Sequence, residues 1–298
     1  MAAIICLGIA VRDMVFRVPV LPLVAQKTVA SAFCRSGGGM AATAAVAAAA
    51  LGGTVSYWGR LGDDDTGREL RQELELHGVR VCTNLVRSTL TPTATVLVAE
   101  NGERMLAVFP GRLDDSADWL PLGELGSVQA VHADFRWALG ARTLYQAAIA
   151  RRIPRVLDAD AGDAATVRCL LPLVDHAIFS RAGLAELAGN EDPESGLRTA
   201  AALTAGVVGV TLGEQGSAFL VDGVMRRSPA PGVVARDTNG AGDVFHGAYT
   251  LALAEGRTVI EAVRFATVAA ALKCRNGIGW DAVPDRASVD DYLKERAG

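Results

Sequence analysis

The chain has 298 residues, half of them apolar, with a formal net charge of −4 and five cysteines. That is enough apolar material for a sizeable core without covalent staples, in one large α/β domain or a domain with a smaller appendage. The Lys and Arg residues are scattered and form no basic stripe, which argues against nucleic acid as a partner.

Residues 4–9 read as a buried first strand, because the opening segment is short and lacks the basic flank of a signal peptide. A helix is predicted over 40–51, a strand over 54–58, and a helix over 66–78 that ends at its glycine. Further short strands follow at 128–134, 155–158, 176–180 and 207–212, separated by helical stretches such as 141–151. This β-α alternation predicts a mostly parallel sheet covered by helices on both faces. The alanine-rich stretch 41–50 is expected to pack closely on the sheet. It is too short and too alanine-rich to span a bilayer, so no membrane partner is expected. Two segments break the alternation. Residues 14–33 and 93–109 read as antiparallel strands, with Phe16 to Val18 and Val29 to Ser31 in the first and a hairpin turn at Asn101-Gly102 in the second. Cys6, Cys34, Cys82, Cys169 and Cys274 are odd in number and widely spaced, without a C-x-x-C pair, which predicts a reduced, cytoplasmic protein without a zinc site.

The stretch Asp237-Thr238-Asn239-Gly240-Ala241-Gly242-Asp243 opens directly into the apolar run that begins at Val244. Glycines before a helix free backbone N–H groups to face an anion at its positive end. A carboxylate beside a bound phosphate would be repelled by it, so Asp243 is expected to address a hydroxyl arriving next to that phosphate. The chemistry implied is phosphoryl transfer. A plain capping turn with a first-turn carboxylate is the competing reading of the same residues.

This stretch matches D-T-x-G-A-G-D, the C-terminal signature of the ribokinase-like, or pfkB-type, carbohydrate kinases, and the chain resembles that family along most of its length. Gly37 to Gly39 resemble its N-terminal double-glycine signature, and Gly59 to Gly67 its G-x-x-G-x-D-x-x-G element. The resemblance implies a ribokinase-like three-layer α/β/α domain (1–12, 34–92 and 111–298) with a small β-sheet lid (13–33 and 93–110) that also pairs two subunits into a homodimer. It implies transfer of the ATP γ-phosphate to a sugar hydroxyl, with Asp243 as general base and the N–H groups of Gly240, Ala241 and Gly242 facing the transferring group. Thr211, Gly213 and Gly216 would approach the nucleotide, although a glycine hairpin turn also accounts for them. Ala271, Asn276 and Gly277 would border the adenine. Asp13, Gly38 and Gly39 would bind the sugar hydroxyls, while Asn239 is expected to be a turn former. Family members often carry N-x-x-E where this chain has Ser180 and Gly183. Mg2+ is therefore expected to be held through water or through Asp237, where the resemblance also admits a monovalent cation.

Within the family the chain resembles bacterial sulfofructose kinases, through its G-G-G-x-A-A-T-A-A-V-A-A-A run, Asp134 to Trp137 and Gly242 to Gly247. That resemblance implies that Lys27 and Arg136 hold a sulfonate and that 6-deoxy-6-sulfofructose is phosphorylated at its 1-hydroxyl. Val108 departs from it by replacing a polar amide. A fructokinase or sugar-phosphate kinase remains the alternative. A nucleoside kinase is disfavoured by the few aromatic residues, a non-catalytic sugar sensor by the intact Asp243, and a dehydrogenase by the lack of G-x-G-x-x-G after the first strand.

Overall fold

The structure, a computed structural model, describes residues 1–101 and 103–295. The chain begins with β1 (Ala3–Gly8), β2 (Val11–Val18), β3 (Ala32–Gly38), α1 (Met40–Ala50), β4 (Thr54–Gly62), α2 (Asp65–Leu76) and β5 (Arg80–Val86). Next come β6 (Thr93–Ala99), β7 (Arg104–Phe109), β8 (Ala130–Asp134), α3 (Ala138–Ile149), β9 (Arg155–Ala159), α4 (Ala164–Leu170), β10 (His176–Ser180), α5 (Arg181–Ala188) and α6 (Pro193–Ala201). Then β11 (Val207–Thr211), β12 (Ser217–Val221), β13 (Val224–Ser228), α7 (Ala241–Ala254), α8 (Val259–Asn276) and α9 (Arg286–Glu295) complete it.

The large sheet has the order β13-β12-β11-β10-β9-β8-β1-β4-β5. Every pair from β11 to β5 is parallel, and only β12 and β13 join antiparallel at one edge. One apolar cluster fills the face covered by α1, α2, α7 and α8, and a second fills the face covered by α3 to α6. Strands buried on both faces explain why β1 is a continuous apolar run without alternation. The alanine stretch of α1, expected to pack on the sheet, also packs closely on a helix: a Cβ at Gly247 of α7 would overlap the Ala44 carbonyl, so the two helices meet backbone to backbone.

The small sheet has the order β3-β2-β6-β7 and corrects the all-antiparallel expectation. β2 and β6 run parallel, and only β2/β3 and β6/β7 are antiparallel. The chain travels from β3 to β6 through α1, β4, α2 and β5, and a crossover of that length permits parallel pairing where a hairpin does not. The strand expected at Val29 to Ser31 starts later, at Ala32. Cys34 to Gly38, expected in the large unit, pairs instead with β2 in the small sheet. Of the hairpin turn at Asn101-Gly102, Gly102 lies outside the described residues. On either side of it, Asn101 Oδ1 accepts from the Glu103 N–H at 3.0 Å, and the Ala99 N–H donates to the Glu103 carbonyl at 2.9 Å. The five cysteines are free, and among the described residues no helix is long and apolar enough to cross a membrane.

Candidate active site

A cleft of about 340 Å³ opens where the C-terminal ends of the parallel strands face the small sheet, the position open α/β sheets reserve for ligands. Its floor is the start of α7. Gly240, with φ 73°, takes the left-handed conformation that turns the chain into the helix. The Asn239 N–H donates to Asp237 Oδ1 at 3.1 Å, which closes the turn before it. First-turn N–H groups lack intrahelical partners. Gly242 lines the cleft, and a Cβ there would meet no other atom. The Ala241 N–H is not free, because it points to the Thr238 carbonyl at 3.3 Å.

Asp243 lines the cleft from the first turn of α7. Burial pushes its carboxyl well above the usual range, the Asp158 charge adds to the rise, and His246 opposes it. His246 lies one helical turn further on and is 3% exposed. Its Nδ1 is 3.0 Å from Asp158 Oδ2 and its Nε2 is 3.3 Å from the Ile178 carbonyl. The Asp158 contact is a close ion pair outside hydrogen-bond geometry, and a nearby carboxylate favours the protonated ring. Burial pulls His246 down, yet Asp158, Asp243 and the Ile178 carbonyl together outweigh it and raise it. The sequence offered no local sign of this pair, because Asp158 comes from β9 and is distant in the chain.

The small sheet turns one face to the cleft, and strand periodicity selects the residues: Val11, Asp13 and Val15 from β2, Ala94 from β6, and Arg104, Leu106 and Val108 from β7. Asp13 is buried, and that burial raises its carboxyl to about 6 while an Asn239 hydrogen bond works against the rise. Gly38 lacks a side chain where a Cβ would overlap Asp13. Asn239 does more than turn the chain: its Nδ2 donates to Asp13 Oδ2 at 3.2 Å, and its Oδ1 accepts from Arg104 at 3.4 Å. Glu73 of α2 fixes the root of this sheet, pairing with buried Arg12 at 2.6 Å and accepting from the Gly37 N–H at 2.9 Å.

The structure brings together Asp13, Gly38, Gly39, Thr211, Gly240, Ala241, Gly242 and Asp243 on one cleft. Lys27 and Arg136 do not line it. Lys27 is exposed in the connection between β2 and β3. Arg136, in the short turn after β8, stacks its guanidinium on Phe135 at 4.5 Å and donates to the Ala161 carbonyl at 2.9 Å. Two cations that sequence reasoning missed line the cleft: Arg104, on the same strand face as Val108, and the buried Lys273.

On the nucleotide side, Thr211 and Ser180 line the cleft. Gly213 and Gly216 shape the β11–β12 turn, and at Gly216 a Cβ would overlap the Ser228 carbonyl. Asn276 borders a neighbouring open cavity with Arg275 and Ile278, and its amide donates to the Ala282 carbonyl at 3.1 Å. Ala271 lies buried on α8, which Gly277 ends. Ser180 caps α5 by accepting from the Gly183 N–H at 2.9 Å. A side chain at Gly183 would overlap the Ala159 carbonyl, so no Glu fits there.

Asp237 is paired with Lys273 at 3.2 Å, which removes it as the expected metal ligand. Among the described residues no three His, Cys, Asp or Glu side chains cluster as a metal cage. Asp158 is 2% exposed and held by His246, which leaves the half-buried Asp160 in the cleft as the hard oxygen donor of the kind that holds Mg2+ arriving with substrate phosphates.

A family profile described as pfkB family carbohydrate kinase matches residues 1–283. The chain is 29% identical to the ribokinase of Bacillus subtilis (strain 168) over 305 residues, covering 98% of this chain and all of that one. Among solved structures, one from Agrobacterium tumefaciens is 30% identical with a TM-score of 0.94, over 99% of this chain and 98% of that one. The ribokinase of Arabidopsis thaliana complexed with ribose and ATP is 25% identical with a TM-score of 0.82, over 98% of each chain.

Proposed function

The chain belongs to the pfkB family of carbohydrate kinases, ATP-dependent phosphotransferases that act on sugar hydroxyls, and we propose that its acceptor is an anionic ketohexose, with 6-deoxy-6-sulfofructose the leading candidate. The observation that carries this reading is the placement of Asp13, Asp243 and Arg104 around one cleft. Asp13 accepts hydroxyl donors from the sugar, and Arg104 offers planar donors to its anionic end. In this reading Arg104 takes the part that resemblance gave to Lys27 and Arg136.

Asp243 accepts the proton of the 1-hydroxyl while that oxygen forms a bond to the γ-phosphorus and the bond to the leaving ADP oxygen breaks. The N–H groups at Gly240 and Gly242 face the charge on the transferring group. ATP with Mg2+ would supply the phosphoryl group and neutralise phosphate charge, with Asp160 as the nearby oxygen donor. A cytoplasmic location and a homodimer joined through the lid belong to the same reading.

A coupled ADP-release assay with sulfofructose and fructose tests the substrate. Arg104→Ala should raise KM for sulfofructose about tenfold or more, the loss of one charge-assisted pair, and change fructose little. Leu106 and Val108, apolar and beside Arg104 in the cleft, favour fructose as the second reading. Equal loss for both sugars, or selective turnover of fructose, would select it.

A further inference from the structure

Lys273 is 1% exposed in α8, directly after the apolar run Val268 to Leu272. Burying an ammonium costs several kcal/mol unless its partners replace water. Here three oxygens do so. Nζ lies 3.2 Å from Asp237 Oδ2 and 3.4 Å from the Asp237 carbonyl, and it donates to the Asn239 carbonyl. All three are acceptors, matching the three donors of an ammonium. The same end of α8 holds the turn a second time, since the Cys274 carbonyl accepts from the N–H groups of Arg236 at 2.8 Å and Asp237 at 3.2 Å. The gripped segment immediately precedes Gly240 and sets the direction in which α7 presents its first-turn N–H groups.

One carboxylate oxygen and two carbonyls are also the donors a partly dehydrated monovalent cation would take. The expected monovalent-cation site beside Asp237 therefore does not fit this chain, because the Lys273 ammonium already takes those oxygens. We propose that Lys273 is a tethered internal cation, a positioning residue that holds the phosphate-binding turn and makes the kinase independent of monovalent cations. This rests on the kinase reading above.

The test compares the wild-type chain with Lys273→Met and Lys273→Ala in sodium, potassium, ammonium and tetramethylammonium salts at equal ionic strength. Turnover and melting temperature are both read. Wild-type turnover should agree across the salts within about twofold. Lys273→Met should lose about 100-fold in kcat, comparable to removing an oxyanion donor, with a smaller change in KM for ATP. In Lys273→Ala, potassium or ammonium should restore turnover about tenfold or more, close to 1.4 kcal/mol of barrier. The same ions should raise its melting temperature and leave the wild type unmoved. Several-fold activation of the wild type by potassium would overturn the proposal, as would wild-type kcat in Lys273→Met or a folded Lys273→Ala that no cation rescues. If Lys273→Ala does not fold, the wild-type salt comparison and Lys273→Met decide. A wild type that phosphorylates no sugar in any salt would instead contradict the kinase reading, and the melting comparison would still judge Lys273.

Discussion

The Asn239 amide donates to the Asp13 carboxylate at 3.2 Å across 226 positions of sequence. It joins the small sheet's wall of the cleft to the turn that opens α7, so in the proposed reading acceptor and phosphate would be positioned by one connected set of side chains.

Asp13→Asn tests the acceptor wall and carries a stability consequence. The folded carboxyl sits at about 6 against an ordinary 3.8, chiefly from burial. Its stabilising contribution is therefore full below the ordinary value and is lost as pH rises through about 6. The Asn variant lacks that loss. It should melt higher than wild type at pH 8 and lose this advantage on acidification, while KM for the sugar rises. Melting curves across pH and steady-state kinetics check both.

His246→Asn should move the acidic limb of the kcat profile to higher pH. Activity needs ionised Asp243 and falls as pH drops through its value. Burial and Asp158 raise that value, and His246 opposes them, so removing the imidazole raises it further. A pH–rate profile of both proteins is the measurement, and an unmoved limb would leave His246 with only a packing role.

Gly247→Ala should cost about 1–3 kcal/mol of stability through overpacking against Ala44. It should lower kcat more than ATP affinity, because α7 carries Asp243. Denaturant unfolding and nucleotide titration separate the two effects.

β7 is an edge strand whose outer face carries Met105 and Phe109, 42% and 47% exposed. Edge strands favour pairing. Sedimentation should give about twice the mass of one chain, and Phe109→Glu should shift it toward one.

Local turn structure was legible in the sequence. The turn from Asp237 to Asp243 announces itself because glycine spacing and a first-turn carboxylate act within a few residues. The β-α alternation likewise predicted the parallel sheet. Relations between distant segments were not legible. The parallel pairing of β2 with β6 depends on a crossover, and the His246–Asp158 pair on two elements that the fold alone brings together. Arg104 became visible only once its strand face was known. Lys273 left a signal that went unread, a charge that directly follows the apolar run Ala269, Ala270, Ala271 and Leu272. Lys27 and Arg136 were assigned by resemblance alone, and neither lines the cleft.

The most direct test of the central claim is ADP release with ATP and Mg2+ over sulfofructose, fructose, fructose 6-phosphate, tagatose 6-phosphate, ribose and adenosine, for wild type and Asp243→Asn. Wild type should turn over sulfofructose selectively. Asp243→Asn should lose at least about 100-fold in kcat, the scale of general-base catalysis, while still binding ATP. Turnover that survives in Asp243→Asn, or a wild type that phosphorylates none of these acceptors, would contradict the account.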